Sequence, residues 1–322
     1  MALDREELLH TYRVMKTIRV FEERIHDEFA TGEIEGFVHL YAGEEASAAG
    51  VMANLTRDDR IASTHRGHGH CIAKGVDVRG MMAEIYGRIT GVCHGKGGSM
   101  HIADLDEGMM GANGIVGGGP PLICGAALAA KVKGTRNVAV AFVGDGASNQ
   151  GTTFESLNLA TVWNLPAVFV AENNGYAEAT SSKYSVGADS IADRAAGFGM
   201  PAVSVDGHDF FAVYEAAGEA IKRARDGEGP SFIEARVNRY FGHFEGDAQT
   251  YRGPDEVEDL RANRDCIDIF TAAVTTSGDI ALADLEGIDR DVLGLIDSAV
   301  AEARSAPRPG ADDLLTDVYV SY

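Results

Sequence analysis

The sequence has few cysteines, few basic residues relative to acidic ones and no long uninterrupted apolar run. Its four cysteines stand far apart without a Cys-x-x-Cys pair, which argues against a zinc site or a disulfide framework and favours a reducing compartment. The net charge of −21, from 28 basic and 49 acidic residues, argues against binding nucleic-acid phosphates. No apolar stretch approaches the roughly 20 residues that span a bilayer, and the first residues lack the apolar region of a signal peptide. We therefore expect a cytoplasmic protein without a membrane or nucleic-acid partner.

The sequence does contain alternating helix and strand patterns. Apolar positions at three- and four-residue steps predict a helix from Leu8 to Phe29, with Asp4 as its cap. Continuous apolar runs predict strands at 138–143 and 167–171, a further strand is predicted at 231–237, and helical patterns occupy 122–133, 152–164 and 211–226. This alternation predicts an α/β fold with a doubly wound, mostly parallel sheet, helices on both faces and ligands at the carboxyl ends of the strands.

We expect a single domain over residues 1–322. Within it, 1–60 reads as an N-terminal helical arm with a packing segment, and 255–322 as a charged C-terminal helical extension. The segment 61–125 is dense in glycine and histidine. Because glycine weakens helices and strands, we interpret this segment as loops that approach a ligand closely or turn sharply.

Polar residues follow two of the predicted strands. Gly144-Asp145-Gly146 follows 138–143, and Asn173-Asn174 follows 167–171. The first motif is not a nicotinamide fingerprint, because its glycines are wrongly spaced and Asp145 would lie where the pyrophosphate sits. Glycines can instead bring backbone N–H groups to a diphosphate, and a carboxylate beside that diphosphate requires a cation. The pattern predicts Mg²⁺ bound by Asp145 and Asn174, with the positive end of the following helix directed at the phosphates.

The segment from Gly144 to Asn174 resembles the signature of thiamine diphosphate enzymes, a GDG followed by a double Asn. Further motifs are similar, in the same order, to the α subunits of the E1 component of 2-oxo acid dehydrogenase complexes: YAGEEA at 41–46, GKGGSMH at 95–101, NGIVG at 113–117, NQG at 149–151 and ENNGY at 172–176. The resemblance implies a thiamine diphosphate-binding fold and thiamine diphosphate with Mg²⁺ as cofactors. It also implies a β subunit that supplies the activating carboxylate in an α2β2 heterotetramer, and a dihydrolipoamide acyltransferase E2 with a lipoyl domain.

The resemblance also assigns roles to individual residues. The carboxylate of Asp145, the side chain of Asn174 and the backbone carbonyl of Tyr176 are expected to hold Mg²⁺. The other expected cofactor contacts are Gly144, Gly146 and Ala147 at the phosphates, His65 and Arg66 at the diphosphate, Gly114 and Val116 at the aminopyrimidine, and His243 in a loop covering the cofactor. His65 stands where many family members have Tyr.

Histidines are the candidates for catalysis. His243 lies between glycines just beyond a predicted strand, and an imidazole can hold or move a proton near neutral pH. His68 is a second candidate, for the site or for packing, because it closely follows Arg66. No pair of histidines has the spacing of a zinc-binding helix, so we expect no catalytic transition metal.

The loop at 240–252 bears on the substrate. It is similar to the corresponding loop of acetoin dehydrogenase α subunits, and Phe244 replaces the Ser that usually follows the histidine in α subunits acting on pyruvate. This implies cleavage of acetoin to acetaldehyde and a bound two-carbon unit, which is oxidised and transferred to a lipoyl group. Two alternatives remain open: an α subunit acting on pyruvate or branched-chain 2-oxo acids, and a non-catalytic scaffold. Retention of Asp145, Asn174 and His243 argues against the scaffold.

Overall fold

A parallel sheet forms the centre of the protein. The computed structural model describes residues 3–319. Its strands are β1 (Arg60–Ala62), β2 (Ala139–Gly144), β3 (Ala167–Asn173), β4 (Tyr176–Ala177), β5 (Thr180–Ser181), β6 (Ala202–Asp206) and β7 (Ser231–Arg236). Five of them form one sheet in the order β1-β2-β3-β7-β6, and every pairing in it is parallel. The short strands β4 and β5 pair separately as an antiparallel ribbon.

Helices surround the sheet. They are α1 (Arg5–Phe29), α2 (Glu45–Met52), α3 (His68–Lys74), α4 (Val78–Ile85), α5 (Gly119–Lys133), α6 (Gly151–Val162), α7 (Ser182–Ser185), α8 (Ile191–Ala196), α9 (Phe210–Arg225), α10 (Glu256–Asn263), α11 (Cys266–Thr276) and α12 (Leu282–Ser305). The predicted cap of α1 is present, because the Asp4 carboxylate accepts the backbone N–H of Glu7 at 2.9 Å. Within residues 3–319, none of these helices combines the length and apolar character needed to cross a membrane.

The central strands contribute alternate side chains to two hydrophobic clusters, one on each face of the sheet. In β2, Val140 and Phe142 join the cluster that includes residues of α1, α2, α9, α11 and α12. Ala139, Ala141 and Val143 join the other, with residues of α5, α6 and α8. Successive strand residues point to opposite faces, so a strand covered on both sides must be apolar throughout. The predicted α/β class with helices on both faces is confirmed.

The terminal segments pack against each other and into the first of these clusters. Met15, Ile18, Phe21 and Ile25 form a fully buried stripe on α1. The long C-terminal helix α12 packs against α1 and α4. The proposed boundaries at residues 60 and 255 stay predictions.

The structure differs from the prediction in the glycine- and histidine-rich segment 61–125. Helices α3 and α4 form within this segment, which was interpreted as loops. Gly69, inside α3, shows why glycine is compatible with a helix here. A Cβ at this position would lie 2.1 Å from the ring of Tyr41, so the absence of a side chain permits close packing. The short strand β1 and the edge strand β6 were also not predicted, because neither has a long apolar run.

A buried ion-pair cluster connects α1, α2 and α11. The Arg19 guanidinium donates to Glu45 Oε1 at 2.6 Å and to Asp265 Oδ2 at 2.7 Å. We predict that Arg19→Met lowers the free energy of unfolding by about 3–5 kcal/mol, because it leaves the Glu45 carboxylate buried without its cation. Urea denaturation followed by circular dichroism measures the change.

The matched control is Arg5→Met, which removes an exposed ion pair from the same helix. Arg5 donates to Asp284 at 2.8 Å, with half of its side chain accessible. This substitution should cost less than about 1 kcal/mol. Equal effects of the two substitutions would contradict the proposed importance of the buried cluster.

Candidate functional site

A cavity of about 380 Å³ lies at the carboxyl edge of the sheet. Ser63 follows β1, Asp145 follows β2, Asn174 follows β3 and Arg239 lies shortly beyond β7; all four residues line it. Parallel strands end at the same edge, and this edge is where doubly wound proteins bind ligands. The sheet therefore brings together side chains that are far apart in the sequence.

The cavity contains all the residues predicted to bind the cofactor. Its lining includes His65, Arg66, Gly114, Val116, Gly144, Asp145, Gly146, Ala147, Asn174, Tyr176 and His243. Gln150, immediately before α6, also lines it, so the N-terminus of this helix lies at the cavity wall. The structure thus places these residues together, while their individual roles stay predictions.

Asp145 is buried and incompletely hydrogen-bonded. Only 2% of the residue is exposed, and its Oδ2 atom has no hydrogen-bond partner within residues 3–319. Burial raises the pKa of Asp145 to about 6, although the backbone N–H of Gly146 acts in the opposite direction. An unpaired buried carboxylate oxygen is costly. A divalent cation would satisfy it, so this residue fits the predicted metal site.

The hydrogen bonds of Asn174 fix the orientation of its amide. Its nitrogen donates to Glu44 Oε1 at 3.1 Å, while its Oδ1 atom accepts the Tyr176 N–H at 3.3 Å. Burial and the neighbouring Glu172 raise the pKa of Glu44 to about 8, so this carboxyl group is mostly protonated at neutral pH. The backbone carbonyl of Tyr176 accepts a 2.9 Å hydrogen bond from Arg239. The side-chain oxygen of Asn174 and the backbone carbonyl oxygen of Tyr176 are hard donors, and such donors suit Mg²⁺.

Two buried guanidinium groups face the cavity. Arg66 donates to the backbone oxygens of Leu40 at 2.6 Å and His243 at 3.0 Å. Arg239, besides its bond to Tyr176, donates to the Tyr251 hydroxyl at 2.6 Å. Among the described residues, no carboxylate forms an ion pair with either guanidinium. Because buried cations without a direct ion-pair partner are costly, the cavity favours an anionic ligand such as a diphosphate.

Three imidazole rings form one wall of the cavity. The ring centroids of His39 and His65 are 4.5 Å apart, and each lies 5.2 Å from the centroid of His243. Burial, followed by the charge of Arg66, lowers the pKa to about 3 for His39, about 2 for His65 and about 4 for His243. These rings are therefore uncharged at neutral pH.

His68 lies outside this cavity. It is completely buried, with Nδ1 3.0 Å from Glu22 Oε2 and Nε2 2.9 Å from Ser99 Oγ. These contacts join α3 to α1 and to the glycine-rich loop. Its catalytic role stays a prediction, and its geometry supports the packing alternative.

The polar residues that line the site without having been assigned a role from the sequence include His39, Glu44 and Arg239. Glu44 belongs to the YAGEEA motif, and His39 precedes that motif by two residues. Arg239 lies three residues beyond the end of β7, whereas Asp145 directly follows the end of β2. The nearness of Arg239 to the carboxyl end of a predicted strand was therefore an available signal.

The fold and the cavity define an α/β protein with a polar site at the carboxyl edge of a parallel sheet, whose buried guanidinium groups and carboxyl group are suited to an anionic ligand and a cation. The chain belongs to the dehydrogenase E1 component family, whose model matches residues 13–312. Membership of this family implies thiamine diphosphate as the cofactor.

Individual relatives cover nearly the whole chain. The α subunit of acetoin:2,6-dichlorophenolindophenol oxidoreductase from Cupriavidus necator is 65% identical over 322 residues, covering 100% of this chain and 97% of the relative. The protein of the same name from Bacillus subtilis is 58% identical, with 100% and 96% coverage. The α subunit of the pyruvate dehydrogenase E1 component from Zymomonas mobilis is 41% identical, with 98% and 90% coverage.

The low pKa of His39 predicts a dependence of stability on pH. Below its ordinary pKa of 6.5, the unfolded chain binds a proton that the folded site does not accept until about pH 3. The free energy of unfolding should therefore fall with decreasing pH, by up to about 2 kcal/mol at pH 5 from this residue. Urea denaturation of the wild type and His39→Gln at pH 7 and pH 5 should show a smaller loss in the variant; identical losses would contradict this assignment.

Proposed function

We propose that this chain is the α subunit of a thiamine diphosphate- and Mg²⁺-dependent E1 component that cleaves acetoin. The observation that carries the proposal is the position of Asp145 and Asn174 at adjacent strand ends, in a cavity that also holds the buried cations Arg66 and Arg239. The two relatives named acetoin:2,6-dichlorophenolindophenol oxidoreductase support the substrate, at 65% and 58% identity.

The protein's first task is to hold the cofactor. Asp145, Asn174 and the carbonyl of Tyr176 supply oxygen ligands for Mg²⁺. The backbone of 144–147 and the N-terminus of α6 line the cavity and would hold the diphosphate, and the guanidinium groups of Arg66 and Arg239 would balance its charge. Gly114 and Val116 would hold the aminopyrimidine. When bound, the cofactor supplies the carbanion chemistry that cleaves the carbon–carbon bond of acetoin.

The second task is to position the reactants through hydrogen bonds. His243 is uncharged and lines the cavity, so its ring can donate a hydrogen bond to a substrate oxygen or accept one from a substrate hydroxyl. Its loop is held by a 2.7 Å hydrogen bond from the His243 backbone N–H to Asp247 Oδ2. Glu44 carries a proton near neutral pH and fixes the amide of Asn174, so it supports the metal ligand.

The proposed enzyme requires partners. An E1 α subunit works with a β subunit, and we assign the carboxylate that activates the cofactor to that β subunit. The assembly is an α2β2 heterotetramer with the cofactor at the α/β interface. The lipoyl disulfide of a dihydrolipoamide acyltransferase E2 then accepts the two-carbon unit together with the two electrons released by its oxidation, so that one lipoyl sulfur becomes acylated and the other becomes a thiol.

We predict that the chain co-purified with its β subunit, with thiamine diphosphate and Mg²⁺ added, reduces 2,6-dichlorophenolindophenol when acetoin is supplied. The α chain alone should show no turnover, because the activating carboxylate is missing. Parallel assays with pyruvate and a branched-chain 2-oxo acid distinguish the alternatives. Turnover of pyruvate without turnover of acetoin would contradict the assignment of acetoin as the substrate. The absence of both turnover and cofactor binding would favour the non-catalytic scaffold.

The metal site has its own test. Asp145→Asn should weaken Mg²⁺-dependent binding of thiamine diphosphate by about 100-fold or more, since even losing a supporting group costs a metal site 10–100-fold. Isothermal titration calorimetry on the α/β complex measures the affinity. Asp193→Asn, at an exposed carboxylate on α8, is the control and should leave binding unchanged. Retained affinity in Asp145→Asn would remove this residue from the metal site.

A further inference from the structure

The histidine cluster, comprising His39, His65 and His243, has the geometry of a metal site. Each residue offers one ring nitrogen, and these three atoms all lie within 4.8 Å of one another. The residues come from the segment before α2, the turn after β1 and the loop after β7. No short sequence motif contains them, which is why histidine spacing did not reveal the cluster.

Two ring nitrogens in the histidine cluster lack a partner. The Nδ1 atoms of His39 and His243 are buried and make no hydrogen bond within the described part of the chain. Buried polar atoms are normally satisfied, and an unsatisfied one is costly. A bound ion is one way to satisfy such a nitrogen, because a neutral imidazole provides a lone pair for coordination.

The distances require only small adjustments. Zinc binds imidazole nitrogens at about 2.0–2.1 Å, so tetrahedral geometry places ligand nitrogens roughly 3.3 Å apart. Ring movements of about 1 Å would bring the histidine cluster to that spacing. All three residues line the cavity, so a fourth ligand can reach a bound ion from the cavity. Three histidines with one open position form a recognised zinc arrangement.

The chemistry separates this cluster from the predicted Mg²⁺ site. Asp145 and Asn174 offer hard oxygen atoms, whereas imidazole nitrogens favour zinc, copper or nickel. The charges of Arg66 and Arg239 act against a cation in the histidine cluster, because both lower the pKa of His243 through their charge. The expected affinity is therefore below that of a structural zinc site.

We propose that the histidine cluster binds a borderline divalent transition-metal ion, exemplified by Zn²⁺, at a site separate from the Mg²⁺ site. Bound metal would occupy the part of the cavity that the three rings face. As a consequence that rests on the proposed function, the ion acts as a reversible inhibitor of acetoin cleavage.

The test uses the α/β complex after removal of metals, with excess Mg²⁺ present to fill oxygen sites. Co²⁺ is titrated as a spectroscopic substitute and Zn²⁺ by calorimetry. We expect one equivalent per α chain and the intense visible absorption of tetrahedral Co²⁺. His65→Gln and His243→Gln should each weaken binding by at least about tenfold, since even supporting groups contribute that much.

The matched control is His101→Gln, which removes an exposed histidine outside the histidine cluster and should not change the affinity. Circular dichroism identifies a variant that fails to fold. If one histidine variant does not fold, the metal affinity of the other one tests the site. Octahedral Co²⁺ spectra alone, or unchanged affinity in both folded variants, would overturn the site.

Inhibition is measured separately, by titrating Zn²⁺ into the acetoin assay. Metal binding without inhibition would overturn the inhibitory role while supporting the site. If the complex shows no acetoin cleavage under any condition, the proposed function fails, and the Co²⁺ titration still decides whether the histidine cluster binds metal.

Discussion

The parallel pairing of β2 and β3 is the constraint on which the site depends. Gly144 is in register with Glu172, so the residues that follow each strand emerge side by side at one edge of the sheet. Strand β7 joins the same edge in parallel. The continuous apolar sequence that lets these strands be buried on both faces therefore also sets the positions of the polar groups beyond them.

The cavity combines groups whose charges are incompletely compensated by the protein. Arg66 and Arg239 are buried cations without an ion-pair partner among residues 3–319, and Asp145 is a buried carboxyl group with an unpaired oxygen. An anionic diphosphate would balance the charge of the two guanidinium groups, and a divalent cation would bind the unpaired carboxylate oxygen. The fold accommodates this arrangement because large hydrophobic clusters cover both faces of the sheet and stabilise the protein elsewhere.

Much of the fold was predictable because its central elements have strong local patterns. The predicted strand at 167–171 lies within β3, and the predicted helix at 211–226 matches α9 to within one residue at each end. Helix α3 was missed because its glycine indicated a loop, whereas the close approach of Gly69 to Tyr41 leaves no room for a side chain. Strand β1 was missed because its three residues form no long apolar run. Local propensity carries little information about such elements.

The sequence by itself determined the fold class, the family resemblance and the residues that follow the main strands, because hydrophobic periodicity and contiguous motifs are local properties. Only the tertiary structure decided that His68 is buried against Glu22 and Ser99 while His39 and Arg239 line the cavity. It also decided the grouping of His39, His65 and His243 and the depression of their pKa values. Burial and proximity to guanidinium groups arise when the chain brings distant segments together, so no local pattern encodes them.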